Sequence, residues 1–269
     1  MQDSAETTSV TDRQSTSVPD QQSASAMDHM SRDAAIAFHA RTIGMLTAAP
    51  VTEALGLLRP GSDAPATSLP LMPADMTAPL VSELAALPTW DTEHWLLTPD
   101  DDVKPCSEQE FTEAAPERRF SRSGCLRDIP RSALGIRAFI SALKSQKVAA
   151  AFSSAFGESV SFRSADIARY EAGHYLRRHS DTFDDRRFGL VFFLSPGWSA
   201  GDGGELVVEA PSGAALATQP ERGRLALLRI NPGYHHSVCT IRSRSWVRFS
   251  VAVHFGTAKS GTAESGTAK

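Results

Sequence analysis

The order of apolar and polar positions divides the chain into two regimes. From Ser31 the spacing is helical: Ser31 and Asp33 offer N-cap chemistry, and Ala35, Ile36, Phe38, Ile43 and Leu46 recur as a stripe that Pro50 ends. A second short helix is predicted from Val51 to Leu58, closed by Arg59-Pro60-Gly61, and a further helical turn from Pro79 to Leu87. Residues 60–79, rich in Pro, Ala, Ser and Thr, read as a loop. Pro130 suits a first helical turn, after which Leu134, Phe139, Ile140 and Leu143 form one apolar face. Val148, Phe152 and Phe156 continue it in a second piece that ends near Gly157. These two pieces predict a helical layer packed on a sheet.

After Ser159 the period becomes strand-like. Strands are predicted over Phe162–Tyr170, Gly189–Leu194, Glu205–Glu209, Arg224–Ile230, His236–Ile241 and Trp246–Phe255. Turn residues separate them: Ser195-Pro196-Gly197, Gly201-Asp202-Gly203-Gly204, Pro211-Ser212-Gly213 and Asn231-Pro232-Gly233. Many short strands without intervening helices imply an antiparallel sandwich or barrel. The predicted fold is therefore mainly β with flanking helices: a double-stranded β-helix, or jelly roll, under an α-helical N-terminal layer.

The ends add tails. Residues 1–30 are rich in Ser, Thr, Gln and Asp and hold too little apolar surface to offset their ordering entropy, so a disordered tail is predicted. A five-residue repeat from Gly256 predicts a flexible tail over 257–269. Between them lie a helical extension, 31–114, and the main domain, 115–256.

Composition removes several function classes. The 269 residues carry 27 Lys plus Arg against 31 Asp plus Glu, a net charge of −4. That balance predicts neither a nucleic-acid partner nor an anionic membrane surface. No apolar run approaches the roughly 20 residues of a membrane span, and no secretory signal is visible. Cys106, Cys125 and Cys239 form neither a CxxC pair nor a disulfide framework, which predicts a reducing cytoplasm.

The chemistry centres on His179-Ser180-Asp181. On an extended strand, positions i and i+2 point to one face, so the imidazole and the carboxylate can reach one ion. His235 and His236, at the start of a later strand, both qualify as a third ligand. Two histidines and a carboxylate form the facial triad of non-heme Fe(II) oxygenases, which leaves coordination positions open. A His-x-Asp motif alone recurs by chance, as a strand-end His bonded to a turn Asp. Here a basic residue, Arg248, follows on the next strand and shares a face with Ser250. A guanidinium and a neighbouring hydroxyl suit a carboxylate. The alternation of Trp246, Arg248 and Ser250 against Val247, Phe249 and Val251 does not decide which face is inside.

Taken together, these stretches resemble the Fe(II)/2-oxoglutarate-dependent dioxygenases, and within them the prolyl-4-hydroxylase-like superfamily. The resemblance covers roughly residues 115–256. It rests on Tyr170-Glu171-Ala172-Gly173 before His179-Ser180-Asp181, on GLVFFLSPGW from Gly189 with Gly203-Gly204-Glu205-Leu206, on Pro232 to Val238, and on Arg248-Phe249-Ser250. The similarity is greatest to the branch containing ribosomal-protein prolyl hydroxylases. It implies His179, Asp181 and His236, rather than His235, as ligands of Fe(II). It implies Arg248, Ser250 and Tyr170 as holders of the distal carboxylate of 2-oxoglutarate, with Tyr175 and Leu176 lining the same pocket. It further implies O2 as co-substrate, ascorbate as a reductant, and hydroxylation of a small-molecule or peptide substrate. A protein prolyl hydroxylase is the alternative within enzymes. A non-catalytic jelly-roll binding protein is the alternative outside them.

Overall fold

The computed structural model describes residues 30–100 and 102–258. The elements, in chain order, are α1 Arg32–Leu46, α2 Ala49–Gly56, β1 Ala66–Pro70, α3 Ala74–Ala85, β2 Asp91–Leu97, β3 Val103–Cys106, α4 Glu108–Glu113, β4 Arg119–Leu126, α5 Leu134–Leu143 and α6 Gln146–Phe156. There follow β5 Val160–Tyr170, β6 Tyr175–His179, β7 Arg186–Phe193, β8 Leu206–Glu209, β9 Ala215–Thr218, β10 Arg224–Arg229, β11 His235–Val238 and β12 Arg248–Thr257. Ser31 caps α1 through its hydroxyl, Ser145 does the same for α6, and Gly157 ends α6 in the left-handed region.

The strands form one antiparallel sheet in the order β1-β10-β7-β12-β5-β4-β6-β11-β8-β9, with β2 paired to β4 and β3 to β2. The sheet curls until β1 and β9 approach each other, giving a nearly closed jelly roll. Two apolar clusters fill its two sides. The larger lies between the helices and the outer face, where Phe188, Leu190 and Phe192 of β7 and Phe249, Val251, Val253 and Phe255 of β12 meet Phe139, Phe152 and Phe156. The Phe188 and Phe255 rings stack at 5.4 Å, with Phe152 edge-on at 5.1 Å from Phe255. Each such ring, fully buried, contributes roughly 1.5–3 kcal/mol. The smaller cluster fills the barrel with Tyr170, Val191, Phe193, Leu206, Val208, Val238, Ile241 and Trp246.

This packing settles the ambiguity along β12. The helical layer takes the apolar face, so Arg248, Ser250 and His254 point into the barrel and are all buried. The extension over 31–114 is not purely helical. It contributes β1, β2 and β3 to the same sheet, and β1 pairs with β10 inside the stretch that read as a loop. The segment Ala66–Pro70 has no alternating pattern and ends in proline, which an edge strand tolerates. The β10 edge needs hydrogen-bond partners, and pairing there overrides the local composition. The helix expected from Pro79 starts at Ala74 instead, with Pro79 inside it. The predicted tail over 1–30 lies almost entirely outside the described residues, as does the tail after Ala258. Thr257 still belongs to β12, and its N–H donates to the Asp185 carbonyl at 3.0 Å. No helix among the described residues is long and apolar enough to cross a membrane.

Candidate metal centre and anion pocket

His179 ends β6 and faces His236 of β11 across the ladder, with ring centroids 4.1 Å apart. Asp181 lies just past the end of β6. One donor atom from each of His179, Asp181 and His236 falls within 4.8 Å of the others. His179 Nε2 is 3.5 Å from Asp181 Oδ1, and His236 Nε2 is 3.5 Å from Asp181 Oδ2. Bonds of roughly 2.1 Å at right angles put neighbouring donors roughly 3 Å apart, so the set fits one ion. His235 points away and places its Nδ1 3.0 Å from the Gly233 carbonyl.

The protonation pattern also suits a cation. His179 Nδ1 lies 2.9 Å from the Arg177 carbonyl, which fixes the proton there and turns the Nε2 lone pair toward Asp181. Burial, with a further push from His179, pulls His236 down to about 3, so its imidazole is neutral at physiological pH. Burial opposes ionisation of Asp181, but the surrounding imidazoles of His179, His254 and His236 outweigh it. The carboxyl is held well below the usual range.

Arg248 heads β12 opposite Tyr170 of β5. Its side chain is only 2% exposed. Nη1 donates to the Gly204 carbonyl at 2.7 Å, while Nε has no partner among the described residues. The guanidinium sits 5.0 Å from the Tyr170 ring and 4.8 Å from the Phe193 ring. Among the described residues no carboxylate reaches it within 4.0 Å. Burial brings it down to about 10, so it stays charged at neutral pH. Burial also pushes the Tyr170 hydroxyl up to about 12, keeping it a neutral donor.

Tyr170, His179, Asp181, His236, Arg248 and Ser250 all line one cavity of about 350 Å³. It opens into a wider groove of about 780 Å³ lined by Trp95, Leu97, Phe120 and Phe183. Leu176 lines the cavity as expected. Tyr175 does not: its hydroxyl donates to the Arg119 carbonyl on the outside, because β6 alternates and residue 175 shares a face with 177 rather than 176. At the start of β7, Arg187 pairs outward with Glu158, whereas Arg186 turns into the cavity. Sequence reasoning missed two contributors: His254, which lines the cavity, and the N-terminal strand β2, which supplies Glu93 and Trp95 to its wall. His254 carried a signal, since it continues the period-two face of Arg248 and Ser250. Trp95 carried none, because nothing local links β2 to the barrel.

The turn at Gly203-Gly204 holds Arg248 in place. Gly203 has φ +79°, and a Cβ there would sit 2.0 Å from the Thr240 carbonyl oxygen. Gly203→Ala is expected to destabilise the fold by about 3 kcal/mol or more, from left-handed strain plus a forced backbone shift. Gly213→Ala is the control. It has φ +84° but open space around it, so it carries the strain alone. Thermal melts followed by circular dichroism should place Gly203→Ala clearly below Gly213→Ala; equal melting temperatures would remove the close approach as a constraint.

Residues 165–256 match the family model described as the 2OG-Fe(II) oxygenase superfamily. Among curated proteins none matches the sequence. Solved structures share the fold at low identity. A prolyl-4-hydroxylase of Pseudomonas putida is 19% identical over 77% of this chain and 98% of its own, with a TM-score of 0.53. A prolyl hydroxylase of Trichoplax adhaerens, solved with a hypoxia inducible factor oxygen degradation domain peptide fragment, is 13% identical over 85% and 95%, with a TM-score of 0.53. A prolyl 4-hydroxylase of Phytophthora capsici is 15% identical over 82% and 66%, with a TM-score of 0.52. Over residues 165–256 the chain is thus similar to the 2OG-Fe(II) oxygenase superfamily, and it shares its fold with solved prolyl-4-hydroxylases.

Proposed function

We propose that the protein is an Fe(II)- and 2-oxoglutarate-dependent hydroxylase acting on an unactivated C–H bond of an amino acid, peptide or natural-product intermediate. His179, Asp181 and His236 hold the metal. Arg248, Ser250 and Tyr170 hold the distal carboxylate of 2-oxoglutarate. When bound, iron and 2-oxoglutarate supply the oxidising chemistry: O2 is divided between the substrate and succinate, with release of CO2. The chain's own part is to fix the ligands, neutralise the anion and exclude water from the cavity.

The observation that carries this reading is Arg248. A buried cation without a carboxylate partner is costly. Here it lies in the same cavity as a three-donor metal set, beside a hydroxyl and a phenol. A dicarboxylate that reaches the metal at one end and Arg248 at the other satisfies both. A pure binding module needs neither feature in that relation.

The outer groove supports a second reading for the substrate. Its width, with Trp95, Phe120 and Phe183 on its walls, suits an extended peptide, as a protein prolyl hydroxylase requires. The ribosomal-protein branch is the form of that reading that the sequence motifs favour.

The cofactor chemistry is tested by anaerobic visible absorbance. Adding Fe(II) and then 2-oxoglutarate to metal-free protein should give a charge-transfer band that needs both additions. His179→Ala should show none. Iron-loaded, folded wild type without a band would overturn the assignment. Succinate release with and without ascorbate then reads the reductant requirement.

A further inference from the structure

Behind Asp181 lies a directed chain of hydrogen bonds that the triad itself does not require. His254 Nε2 is 3.0 Å from Asp181 Oδ2, and both groups are buried. On its other side, His254 Nδ1 is 3.0 Å from Ser164 Oγ. Ser164 Oγ also receives a hydrogen bond from Arg186 Nη2 at 3.3 Å. Asp166 approaches His254 Nδ1 only to 3.8 Å, beyond hydrogen-bond range, and its side chain is largely exposed.

The polarity of this chain follows from the groups at its ends. A guanidinium only donates, so Ser164 Oγ accepts from Arg186 and has one hydrogen left to give. At the other end the Asp181 carboxylate only accepts, so His254 Nε2 carries the hydrogen aimed at it. His254 Nδ1 is then the acceptor for the Ser164 hydrogen. Every link has one donor and one acceptor. Arg186 closes the loop, with Nη1 3.6 Å from the same Oδ2. One carboxylate oxygen is thus held by the protein. The other, Oδ1, faces His179 and keeps its lone pairs for an ion.

We propose that His254, set in its Nε2–H tautomer by Ser164 and Arg186, is a positioning residue that orients Asp181 for metal binding. This rests on the reading of Asp181 as a ligand. His254 is not itself a fourth ligand, because its nitrogens fall outside the convergent donor set. Outer partners of metal ligands are worth about 10- to 100-fold in metal affinity.

The probe is Mn(II) alone, with binding read from the free-ion electron paramagnetic resonance signal, so turnover plays no part. His254→Met and His254→Gln fill similar space, but only Gln keeps a donor for Asp181. The expected result is Mn(II) affinity lower by about 10- to 100-fold in His254→Met, with a clear part of the loss restored in His254→Gln. Ser164→Ala, which leaves the imidazole but frees its tautomer, should show a smaller loss in the same direction. Circular dichroism confirms that each variant is folded. Equal Mn(II) affinity in wild type and His254→Met, with His179→Ala deficient, overturns the positioning role and leaves the metal site standing. Equal affinity in His254→Met and His254→Gln, both below wild type, overturns the hydrogen-bond argument in favour of packing. Equal affinity in wild type and His179→Ala removes the metal site and the proposal together.

Discussion

Arg248→Met should weaken 2-oxoglutarate binding by about 30-fold or more and, in the metal-free protein, raise the melting temperature. Both effects have one cause. The guanidinium is 2% exposed and has no carboxylate partner, so the fold carries a buried charge that only a ligand neutralises. The fall from 12.5 to about 10 reflects burial and corresponds to about 3 kcal/mol disfavouring the cation. Methionine fills much of the same volume without the charge. Against that gain stands the lost hydrogen bond to the Gly204 carbonyl, worth about 1 kcal/mol, and the lost contacts with the Tyr170 and Phe193 rings. A net stabilisation on the order of 1–2 kcal/mol is expected, read as a rise of several degrees in a chain of this size. Removing one side of a buried charge pair costs the bound state about 2–5 kcal/mol. The 2-oxoglutarate dissociation constant, measured by calorimetry with Mn(II) present, should therefore rise by about 30-fold to several thousand-fold. Arg248→Lys keeps the charge but not the planar fork, and should fall between the two. A lower melting temperature with unchanged affinity would make Arg248 a structural residue and remove the main support for the anion pocket.

How much of this was legible in the sequence depends on how local each signal was. Helices α5 and α6 were readable because Phe139, Leu143, Phe152 and Phe156 recur on one face, and that face is the one that packs on the sheet. The motif residues were readable because their spacing along β6, β11 and β12 already implies shared faces. The inside face of β12 was not readable. Both its faces are buried, so polar and apolar alternation loses its usual meaning. Strands β1 and β3 are short, contain prolines and lie at the margins of the sheet, where pairing rather than composition decides structure. His254 sat in view two positions beyond Ala252, but a single histidine on a strand says nothing by itself. Its meaning comes from Asp181, which is 73 residues away along the chain.

Asp181→Ala should shift stability in the direction opposite to Arg248→Met. Asp181 already has a donor and a cation beside it, His254 Nε2 at 3.0 Å and Arg186 at 3.6 Å, with the His179 and His236 imidazoles at 3.5 Å. Its removal leaves Arg186 buried without its carboxylate and His254 without its acceptor. Breaking a buried pair from one side costs about 3–5 kcal/mol. The metal-free variant should therefore melt lower by roughly 6–20 °C. Wild type should also gain stability on adding Mn(II), by about 2.7 kcal/mol at 100 times the dissociation constant, and Asp181→Ala should gain none. Scanning calorimetry of both proteins with and without Mn(II) measures the two effects independently. A variant that melts like wild type would mean that the cluster is not electrostatically coupled, and one that still gains stability from Mn(II) would mean that the ion binds elsewhere. The two substitutions probe one cavity from its two ends. A charge that waits for its partner lowers the stability of the empty protein, whereas a charge that already has partners raises it. The opposite signs of the two melting shifts therefore distinguish an anion pocket beside a cation site from a barrel that merely contains buried charges.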